Sequence, residues 1–284
     1  MSSQFVWQKI LNITPDSFSD GGNVFGVKAL EESFSTAYNR GVRCFDFGAQ
    51  STAPNARFIS LDEEKARYKE YFLPFIKSIS ITHDLADCIF SFDTFRPDTI
   101  SFVAEIMRDN KVGLKGFFWN DVSGVLDEHS INFLKSGPQR KLILCHNLAQ
   151  SREDSANHDH FKVDIFGLEF IHYLAQYFKN HLDLVPDEFM RQIVIDPCFG
   201  FSKHNCQNVS ILENFRLFES MFCEGTEFLI GISRKRFLRS LSGFNLDNLS
   251  ALDDFQDSVL EKLKKTSTGT CYYIRAHRCS LGKI

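Results

Sequence analysis

The chain has 284 residues, of which 43% are hydrophobic and 24% are charged, and its formal net charge at pH 7 is −4. This length allows one large hydrophobic core, and the acidic balance excludes a general electrostatic attraction to nucleic acid or to anionic lipid. No apolar run approaches the ~18 residues of a membrane span, and the first residues lack the basic and apolar segments of a secretory signal. We therefore expect a cytoplasmic protein with neither a nucleic-acid nor a membrane partner.

Short runs rich in apolar residues predict eight strands, and segments of mixed charge between them predict seven helices. The strand runs cover residues 7–10, 44–47, 89–92, 117–119, 142–145, 193–195, 228–232 and 271–274. The helical segments cover about 27–40, 62–80, 98–110, 127–137, 164–182, 208–221 and 247–265. Strands that alternate with helices are typical of a parallel sheet with right-handed crossovers.

Eight such units predict a single (β/α)8 TIM-barrel domain over residues 1–284. An open doubly wound sheet is the alternative, because periodicity alone does not exclude it. Only seven residues follow His277, so we expect a shortened or missing final helix. The polar stretch 150–164 is typical of a long exposed loop or a variable insertion.

Each strand run ends at, or contains, a polar or charged side chain. These residues are Asn12, Asp46, Asp93, Asn120, Asp121, His146, Asp196, Ser233, Arg234, Lys235, Arg275 and His277. Parallel barrels collect their chemistry at the carboxyl ends of their strands. The pattern therefore predicts one shared site at that end of the barrel.

The carboxylates and the carboxamide that end three of the strands favour a flat heterocyclic ligand. Asp93, Asn120 with Asp121, and Asp196 could together hydrogen-bond the amidine-like edge of such a ring, or stabilise a cation formed on it. The alternative is that each residue caps the helix that follows it.

Basic residues follow the last two strands, where barrels commonly bind phosphate. Ser233-Arg234-Lys235-Arg236 and Arg275-x-His277 could hold a diphosphate leaving group, or form a solvated basic face. The turn-rich loop 12–22 carries Phe18 at its centre, which suits either a lid over a ligand or an ordinary surface turn.

The eight cysteines predict neither a disulfide framework nor a metal site. No CxxC pair occurs, and several cysteines lie in apolar runs, so we interpret them as reduced. Cys198, His204 and Cys206 do not have a recognised zinc spacing.

Taken together, these motifs resemble those of the dihydropteroate synthase family. The similar segments are ILNITPDSFSDGG, DFGAQSTAPNA, SFDTFRP, WNDVSG, IDPCFGFSK, GISRKRFL and IRAHR, in the family's order between about residues 8 and 278. The resemblance implies a pterin-binding TIM barrel and a transferase of folate biosynthesis, in the family that sulfonamides target. Its reaction joins 6-hydroxymethyl-7,8-dihydropterin diphosphate to p-aminobenzoate through a pterin carbocation, with release of diphosphate.

The resemblance also implies roles for individual residues. The pterin would contact Asp93, Asn120, Asp196, Lys235 and Phe201. The p-aminobenzoate would contact Phe18, Pro54, Ser233 and Lys235. The diphosphate would contact Asn12, Arg275 and His277, with Asn12 acting through a Mg²⁺ cofactor. Asp93, Lys235 and Asn12 would be the catalytic residues, and a homodimer is possible.

Several positions depart from the family's motifs. The second loop has Ala53 where the family has arginine, D-P-G becomes Asp196-Pro197-Cys198, and L-M-H-M becomes Leu144-Cys145-His146-Asn147; His277 is followed by Arg278 in place of aspartate. Ala53, Arg278 and the short C-terminal segment leave open a non-catalytic or weakly active pterin-binding paralogue. A second alternative is a pterin-dependent methyltransferase, which shares the barrel and its pterin contacts. The TPDSFSDGG, SRK and Arg-x-His motifs disfavour it, because methyl transfer has no diphosphate to hold.

Overall fold

The computed structural model describes residues 4–13, 26–50, 58–243, 248–266 and 271–280. Eight parallel strands form a closed barrel in which each strand pairs with its neighbours in sequence. The strands are β1 (Gln4–Asn12), β2 (Cys44–Gly48), β3 (Ile89–Asp93), β4 (Gly116–Asp121), β5 (Arg140–Cys145), β6 (Ile193–Asp196), β7 (Glu227–Ile230) and β8 (Cys271–Ala276). Because β1 pairs with β8, the predicted TIM barrel is confirmed and the open sheet is wrong.

Helices connect the strands along the outside of the barrel. They are α1 (Val27–Asn39), α2 (Leu61–Arg67), α3 (Leu73–Thr82), α4 (Pro97–Asp109), α5 (Glu128–Lys135), α6 (Gly167–Leu182), α7 (Asn205–Glu213), α8 (Phe215–Glu219), α9 (Arg236–Ser242) and α10 (Leu249–Thr266). A π-helical turn (Tyr68–Phe72) joins α2 to α3. None of the helices within the described ranges is long and apolar enough to cross a lipid bilayer.

The helices differ from the predicted ones at three places. The predicted segment 62–80 is divided by the π-helical turn into α2 and α3. The predicted segment 208–221 is divided at Asn214 into α7 and α8, and the short helix α9 was not predicted. Residues 277–280, which follow β8, are not helical.

Local sequence signals fix several helix starts. The Ser60 side chain accepts a hydrogen bond from the Glu63 amide at 3.1 Å and caps α2. Asp127 and Ser130 form a reciprocal capping box at the start of α5. Pro97 occupies the first position of α4, where its missing amide hydrogen costs nothing.

Two apolar layers form the core. The larger layer packs the outward faces of the strands against the helices and contains many phenylalanines, such as Phe34, Phe47, Phe72 and Phe92, all fully buried. The smaller layer fills the barrel interior and consists of Cys44, Phe118, Ile143, Val194, Leu229 and Tyr273. The interior is therefore packed below the carboxyl ends of the strands, as in other parallel barrels.

The polar stretch 150–164 is less exposed than its composition predicts. It contains a 3-10 helix (Glu153–His160), and Arg152 is only 9% exposed. The Arg152 guanidinium forms ion pairs with Asp121 at the end of β4 and with Asp127 at the cap of α5. Arg152 thus attaches this stretch to the barrel. Asp121 pairs with Arg152, so it does not belong to the ligand site that its position at the end of β4 suggested.

Candidate active site

Strand alternation carries polar side chains into the upper barrel. Successive strand residues face opposite sides of the sheet, so residues two positions beyond the inner apolar layer also face the interior. At those positions the inward side chains are Asp46, Asn120, Cys145, Asp196 and Arg275. In each of these strands the polar residue falls on the inward-facing positions of the alternation. The polar strand endings therefore converge inside the barrel.

Arg275 lies between two carboxylates at the centre of this layer. Its Nε donates to Asp46 Oδ2 and its Nη2 donates to Asp93 Oδ2, both at 2.7 Å. Asp46 also accepts a hydrogen bond from Ser91 Oγ at 2.5 Å. Burial alone would lower the pKa of Arg275, but Asp46 and Asp93 hold that pKa above its ordinary value.

Asp93 has a strongly perturbed pKa. Burial and the negative charge of Asp46 raise the pKa of Asp93 to about 7, even though the positive charges of Arg275 and Lys235 act to lower it. A carboxyl group whose pKa lies near neutrality between positive and negative neighbours is typical of a functional site.

Two buried oxygen atoms lack partners next to this ion pair. Asp93 Oδ1 and Asn120 Oδ1 have no hydrogen-bond partner among the described residues, although the two side chains are only 7% and 2% exposed. Leaving a buried acceptor unpaired costs free energy, so such atoms usually mark a position where a ligand or a water molecule donates. Both acceptors are suited to the donor edge of a heterocycle.

Gly48 brings Asn12 and Asp93 to the same space. Gly48 pairs with Asn12 on one side and with Asp93 on the other. A β-carbon on Gly48 would lie 3.4 Å from Asn12 Oδ1 and 3.5 Å from Asp93 Cβ. These are ordinary van der Waals distances, so Gly48 places Asn12 and Asp93 on either side of one small space.

Asp196 is buried beside two thiols. Its Oδ1 accepts a hydrogen bond from the Cys198 amide at 2.7 Å, and its Oδ2 lies 3.7 Å from both Cys145 Sγ and Cys198 Sγ. Burial raises the pKa of Asp196, against the opposing effects of the Cys198 amide and Lys235.

Lys235 lies over the aromatic ring of Phe201, with its Nζ 4.7 Å from the ring centroid. Gly200, next to Phe201, has a φ of +84°, and a β-carbon there would lie 3.5 Å from Lys235 Cδ. Burial lowers the pKa of Lys235, whereas Asp196 and Asp93 act to raise it. The positive charge of Lys235 is thus stabilised by Asp196 and Asp93, the two carboxylates predicted to contact pterin.

Ser233 and His277 meet at the mouth of the barrel. Ser233 Oγ lies 3.1 Å from His277 Nδ1 and accepts a longer hydrogen bond from the His277 amide. Burial, together with the positive charges of Arg234 and Arg275, lowers the pKa of His277 to about 3. His277 is therefore neutral at physiological pH, and it can donate to an anion through only one ring nitrogen.

A cavity of about 650 Å³ connects these groups. Its lining includes seven of the predicted site residues: Asn12, Asp93, Phe201, Ser233, Lys235, Arg275 and His277. Asn120 and Asp196 are buried next to it, whereas Phe18 and Pro54 lie outside the described residues. The structure thus brings together nine of the residues singled out from the sequence.

Lys203 is a residue of the site that sequence reasoning missed. It lines the cavity, and its Nζ lies 2.7 Å from His146 Nδ1 and donates to the carbonyl oxygens of Cys198 and Phe201 at 3.1 and 3.0 Å. Burial lowers the pKa of Lys203 to about 8. The lysine fastens the loop that carries Phe201, and its only signal in sequence was its position after Gly200-Phe201-Ser202.

Asp46 was also left without a role, although it is the one charged residue in the strand CFDFG. It is completely buried and holds Arg275 from below. A lone carboxylate inside an apolar strand requires a buried partner, and that requirement could have indicated an arginine on a neighbouring strand.

The fit of Asn12 to a magnesium ion can be judged from its surroundings. Asn12 is half-buried and lines the cavity, and it supplies one neutral oxygen ligand. Mg²⁺ usually keeps several waters and takes its other ligands from substrate phosphates. One amide oxygen therefore suits a cation that arrives with a phosphorylated substrate and does not suit a permanent all-protein cage.

The fold and the cavity define an enzyme of the (β/α)8 class with its ligand site at the carboxyl ends of the strands. Residues 8–260 match the family model described as "Pterin binding enzyme". The chain belongs to this family of pterin-binding enzymes.

Individual relatives agree with the family match. The chain is 32% identical over 238 residues to the dihydropteroate synthase of Streptococcus pyogenes serotype M6, covering 83% of this chain and 77% of that protein. It is 30% identical over 271 residues to the folic acid synthesis protein fol1 of Pneumocystis carinii, and spans 94% of its own length but about a third, 33%, of that longer protein.

Solved structures agree with the barrel. The dihydropteroate synthase of Xanthomonas albilineans with 4-aminobenzoic acid superposes with a TM-score of 0.73 at 21% identity, covering 96% of this chain and 88% of that chain. The same enzyme in complex with 7,8-dihydropteroate gives a TM-score of 0.69 at 20% identity, again over 96% of this chain and 88% of that chain. At this identity the likeness concerns the fold.

Proposed function

We propose that the chain is a dihydropteroate synthase, a transferase of folate synthesis that forms 7,8-dihydropteroate and diphosphate from pterin diphosphate and p-aminobenzoate. The observation that carries the proposal concerns one oxygen of Asp93 and one of Asn120, neither of which has a hydrogen-bond partner among the described residues. Both residues lie near Lys235, at a cavity with cationic walls. This arrangement supports a site that accepts hydrogen bonds from a ring on one side and attracts an anion on the other.

The reaction begins with cleavage of the bond between the pterin methylene carbon and the diphosphate oxygen. The bonding electron pair leaves with diphosphate, and the remaining carbon carries positive charge that the pterin ring shares. The aniline nitrogen of p-aminobenzoate then forms the new C–N bond and loses a proton. Stabilisation of the developing cation and of the departing anion is the largest effect that such a site can supply.

Asp93 is the residue best suited to stabilise the cation. Its ionised form is favoured by the hydrogen bond from Arg275 and by the nearby charge of Lys235, since both lower its pKa against the effect of burial. In a buried site a fixed negative charge acts strongly on a neighbouring cation, because few water molecules screen it.

The geometry supports two duties for Arg275. Its Nε and Nη2 are hydrogen-bonded to Asp46 and Asp93, so in this structure it first fixes the Asp93 carboxylate. Arg275 also lines the cavity. We propose that it attracts diphosphate from there, together with Asn12 and His277.

Mg²⁺ would supply charge neutralisation for the diphosphate when it is bound, with Asn12 as its protein ligand. Neutral His277 would donate one hydrogen bond, and the half-buried Arg234 lies close enough to lower the pKa of His277. These groups would favour departure of the anion because the negative charge on its bridging oxygen rises in the transition state.

The p-aminobenzoate would enter above the pterin and contact Ser233 and Lys235. Ser233 is held by His277, and Lys235 is held over Phe201, so both groups are oriented before the ligand arrives. Contacts from Phe18 and Pro54, a cytoplasmic location and pairing of two copies stay predictions.

The test is direct assay of purified protein with pterin diphosphate, p-aminobenzoate and Mg²⁺. We expect 7,8-dihydropteroate and diphosphate in equal amounts. Absence of product at high protein concentration would contradict the proposal, and failure to complement a strain that lacks its own synthase would favour the weakly active paralogue. Methyl transfer to a corrinoid would instead favour the methyltransferase.

Arg278, which stands where the family's motif has aspartate, is weaker evidence for a non-catalytic paralogue than its sequence position suggested. Arg278 pairs with Asp254 and Asp257 on α10, at 2.7 and 3.0 Å. It therefore ties the end of β8 to the preceding helix and does not introduce a charge into the cavity.

A further inference from the structure

Two thiols and a carboxylate form a compact cluster at one side of the upper barrel. Cys145 ends β5, Asp196 ends β6 directly opposite it, and Cys198 lies two residues further on. Their ligand atoms all lie within 4.8 Å of one another, and each of the three side chains is buried. Among the residues that the structure describes, this is the one group of three such side chains close enough to share a metal ion.

The distances in this cluster match the edges of a zinc site. Asp196 Oδ2 is 3.7 Å from Cys145 Sγ and 3.7 Å from Cys198 Sγ. In a tetrahedral site with Zn–S near 2.3 Å and Zn–O near 2.0 Å, ligand atoms are separated by roughly 3.5–3.8 Å. The two oxygen–sulfur distances are thus already those of a zinc site, and the two sulfur atoms lie within 4.8 Å of each other.

The backbone at Cys198 is in a conformation that L-residues avoid. Its φ is +53°, in the left-handed region that favours glycine, and the motif that this segment resembles has glycine at this position. A cysteine here costs folding free energy that glycine would not cost. The strained residue directs a thiol toward Asp196, and the neighbouring strand supplies a second thiol, Cys145, where the resembling motif has methionine.

The surroundings explain why the cluster would prefer a soft cation. Phe95, Val122 and Phe201 pack against the two cysteines, which limits water around the thiols. Burial raises the pKa of the Cys198 thiol, and the positive charges of Lys203 and Lys235 oppose this increase. The same two charges would offset the excess negative charge of two thiolates and a carboxylate around a divalent ion. Thiolates select Zn²⁺-like ions over Mg²⁺.

We propose that Cys145, Cys198 and Asp196 form a binding site for a thiophilic divalent cation of the Zn²⁺ class, distinct from the magnesium that accompanies diphosphate. Binding releases the two thiol protons and forms two metal–sulfur bonds and one metal–oxygen bond, and a water molecule completes the coordination. No oxidation or reduction takes place.

Occupation of this site would block the pterin pocket. Asp196 cannot both ligate the metal through Oδ2 and offer that oxygen to a pterin, so the two ligands should compete. This consequence rests on the proposed function, whereas the metal site itself does not. A cell rich in free zinc would then slow the enzyme.

The experiment uses Co²⁺ as a coloured probe with the reduced full-length protein. We expect about one equivalent of Co²⁺ to bind with the near-ultraviolet absorption of thiolate-to-cobalt charge transfer, and Zn²⁺, but not Mg²⁺, to displace it. Loss of a residue that only supports a metal ligand weakens metal binding roughly 10- to 100-fold. Cys145→Met and Cys198→Gly each remove a proposed ligand, so each should weaken Co²⁺ binding by more than this. Cys198→Gly should also melt at the same or a higher temperature, because it relieves the strained φ, so loss of its signal would not reflect unfolding.

The matched control removes the exposed thiols Cys206 and Cys223 by substitution with serine, which should leave the absorption unchanged. Absence of a thiolate-to-cobalt band in the reduced wild-type protein would overturn the proposal. A disulfide between Cys145 and Cys198 under oxidation would not rescue it, because a disulfide shows only that the two thiols are close together. A band that survives in both Cys145→Met and Cys198→Gly would overturn it as well.

Pterin competition is read separately. If added pterin weakens Co²⁺ binding, Asp196 serves both ligands. If Co²⁺ binds normally in the presence of pterin, the metal site stands and the assignment of Asp196 to pterin fails. If Co²⁺ does not bind but dihydropteroate forms, the proposed function stands and the metal site fails.

Discussion

Arg275 donates a hydrogen bond from Nη2 to Asp93 Oδ2 at 2.7 Å, although the two residues lie 182 positions apart in sequence. The contact joins the end of the eighth strand to the end of the third across the barrel mouth. It connects the residue proposed to attract the anion with the residue proposed to stabilise the cation. A change in either residue should therefore alter the other.

Arg275→Gln should shift the pH dependence of turnover. Asp93 must be ionised to stabilise a cation, its pKa is about 7, and Arg275 lowers that pKa. Without the arginine, the pKa of Asp93 rises, so the acid limb of the kcat profile should move to higher pH. The control is Arg278→Gln, which removes an arginine that pairs with α10; an equal shift in that variant would contradict the assignment.

Asp93→Asn should reduce kcat far more than it weakens pterin binding. The amide keeps the shape of the side chain but removes a charge that acts mainly in the transition state, and we expect a loss of roughly 10²- to 10³-fold in kcat. Steady-state kinetics together with pterin titration separate the two effects. Asp98→Asn, an exposed carboxylate in the first turn of α4, is the matched control. Equal losses in turnover and binding would count against the cation role.

Lys235→Met should raise the KM for both substrates. Methionine keeps an apolar stem over Phe201 but lacks the ammonium group that lies 4.7 Å from the ring centroid. Lys235→Arg, measured in parallel, retains a positive charge and should lose less. A p-aminobenzoate KM that does not change in the methionine variant would exclude a contact between Lys235 and that substrate.

His277→Gln should flatten the acid side of the stability profile. The folded pKa of His277 is about 3, below the ~6.5 of an unfolded histidine, so between these values the unfolded state binds the extra proton. Stability is therefore lost as pH falls from about 6.5 toward 3, and glutamine removes this contribution. Urea unfolding at several pH values measures the slope. An identical slope in the variant would show that the imidazole is protonated in the folded protein.

Arg152→Ala should destabilise the fold by about 3–5 kcal/mol, because it leaves the buried carboxylate of Asp121 without its partner. Equilibrium unfolding in urea gives the free-energy change. The double variant Asp121→Asn with Arg152→Ala should lose less than the sum of the two single changes, since both remove the same ion pair. Strict additivity would mean that the pair contributes nothing to folding.

Much of the fold was predictable from residue order because each strand is a short apolar run with a polar end. Those ends converge because strands of a closed parallel barrel share one direction, and Asp93, Lys235 and Arg275 were identified on that basis. The helix α9 was missed because its seven residues, from Arg236 to Ser242, are too few to reveal a period.

Contacts between distant elements could not be predicted in the same way. Zinc spacings are recognised within one segment, so Cys198 was compared with His204 and Cys206. The structure instead groups Cys198 with Asp196 and with Cys145, which lies at the end of the neighbouring strand β5. The pairing of Arg152 with Asp121 likewise depends on how a polar loop folds back over β4. Sequence gives the chemistry of these groups, but only the barrel register gives their distances.

The inner apolar layer closes the barrel beneath the polar residues, so the site is a cavity with a closed base. The layer consists of Cys44, Phe118, Ile143, Val194, Leu229 and Tyr273. If pterin binds Asp93 and Asn120 as proposed, it would lie closer to this base than a p-aminobenzoate that contacts Ser233 at the mouth. We therefore expect the proposed enzyme to bind pterin first and p-aminobenzoate second.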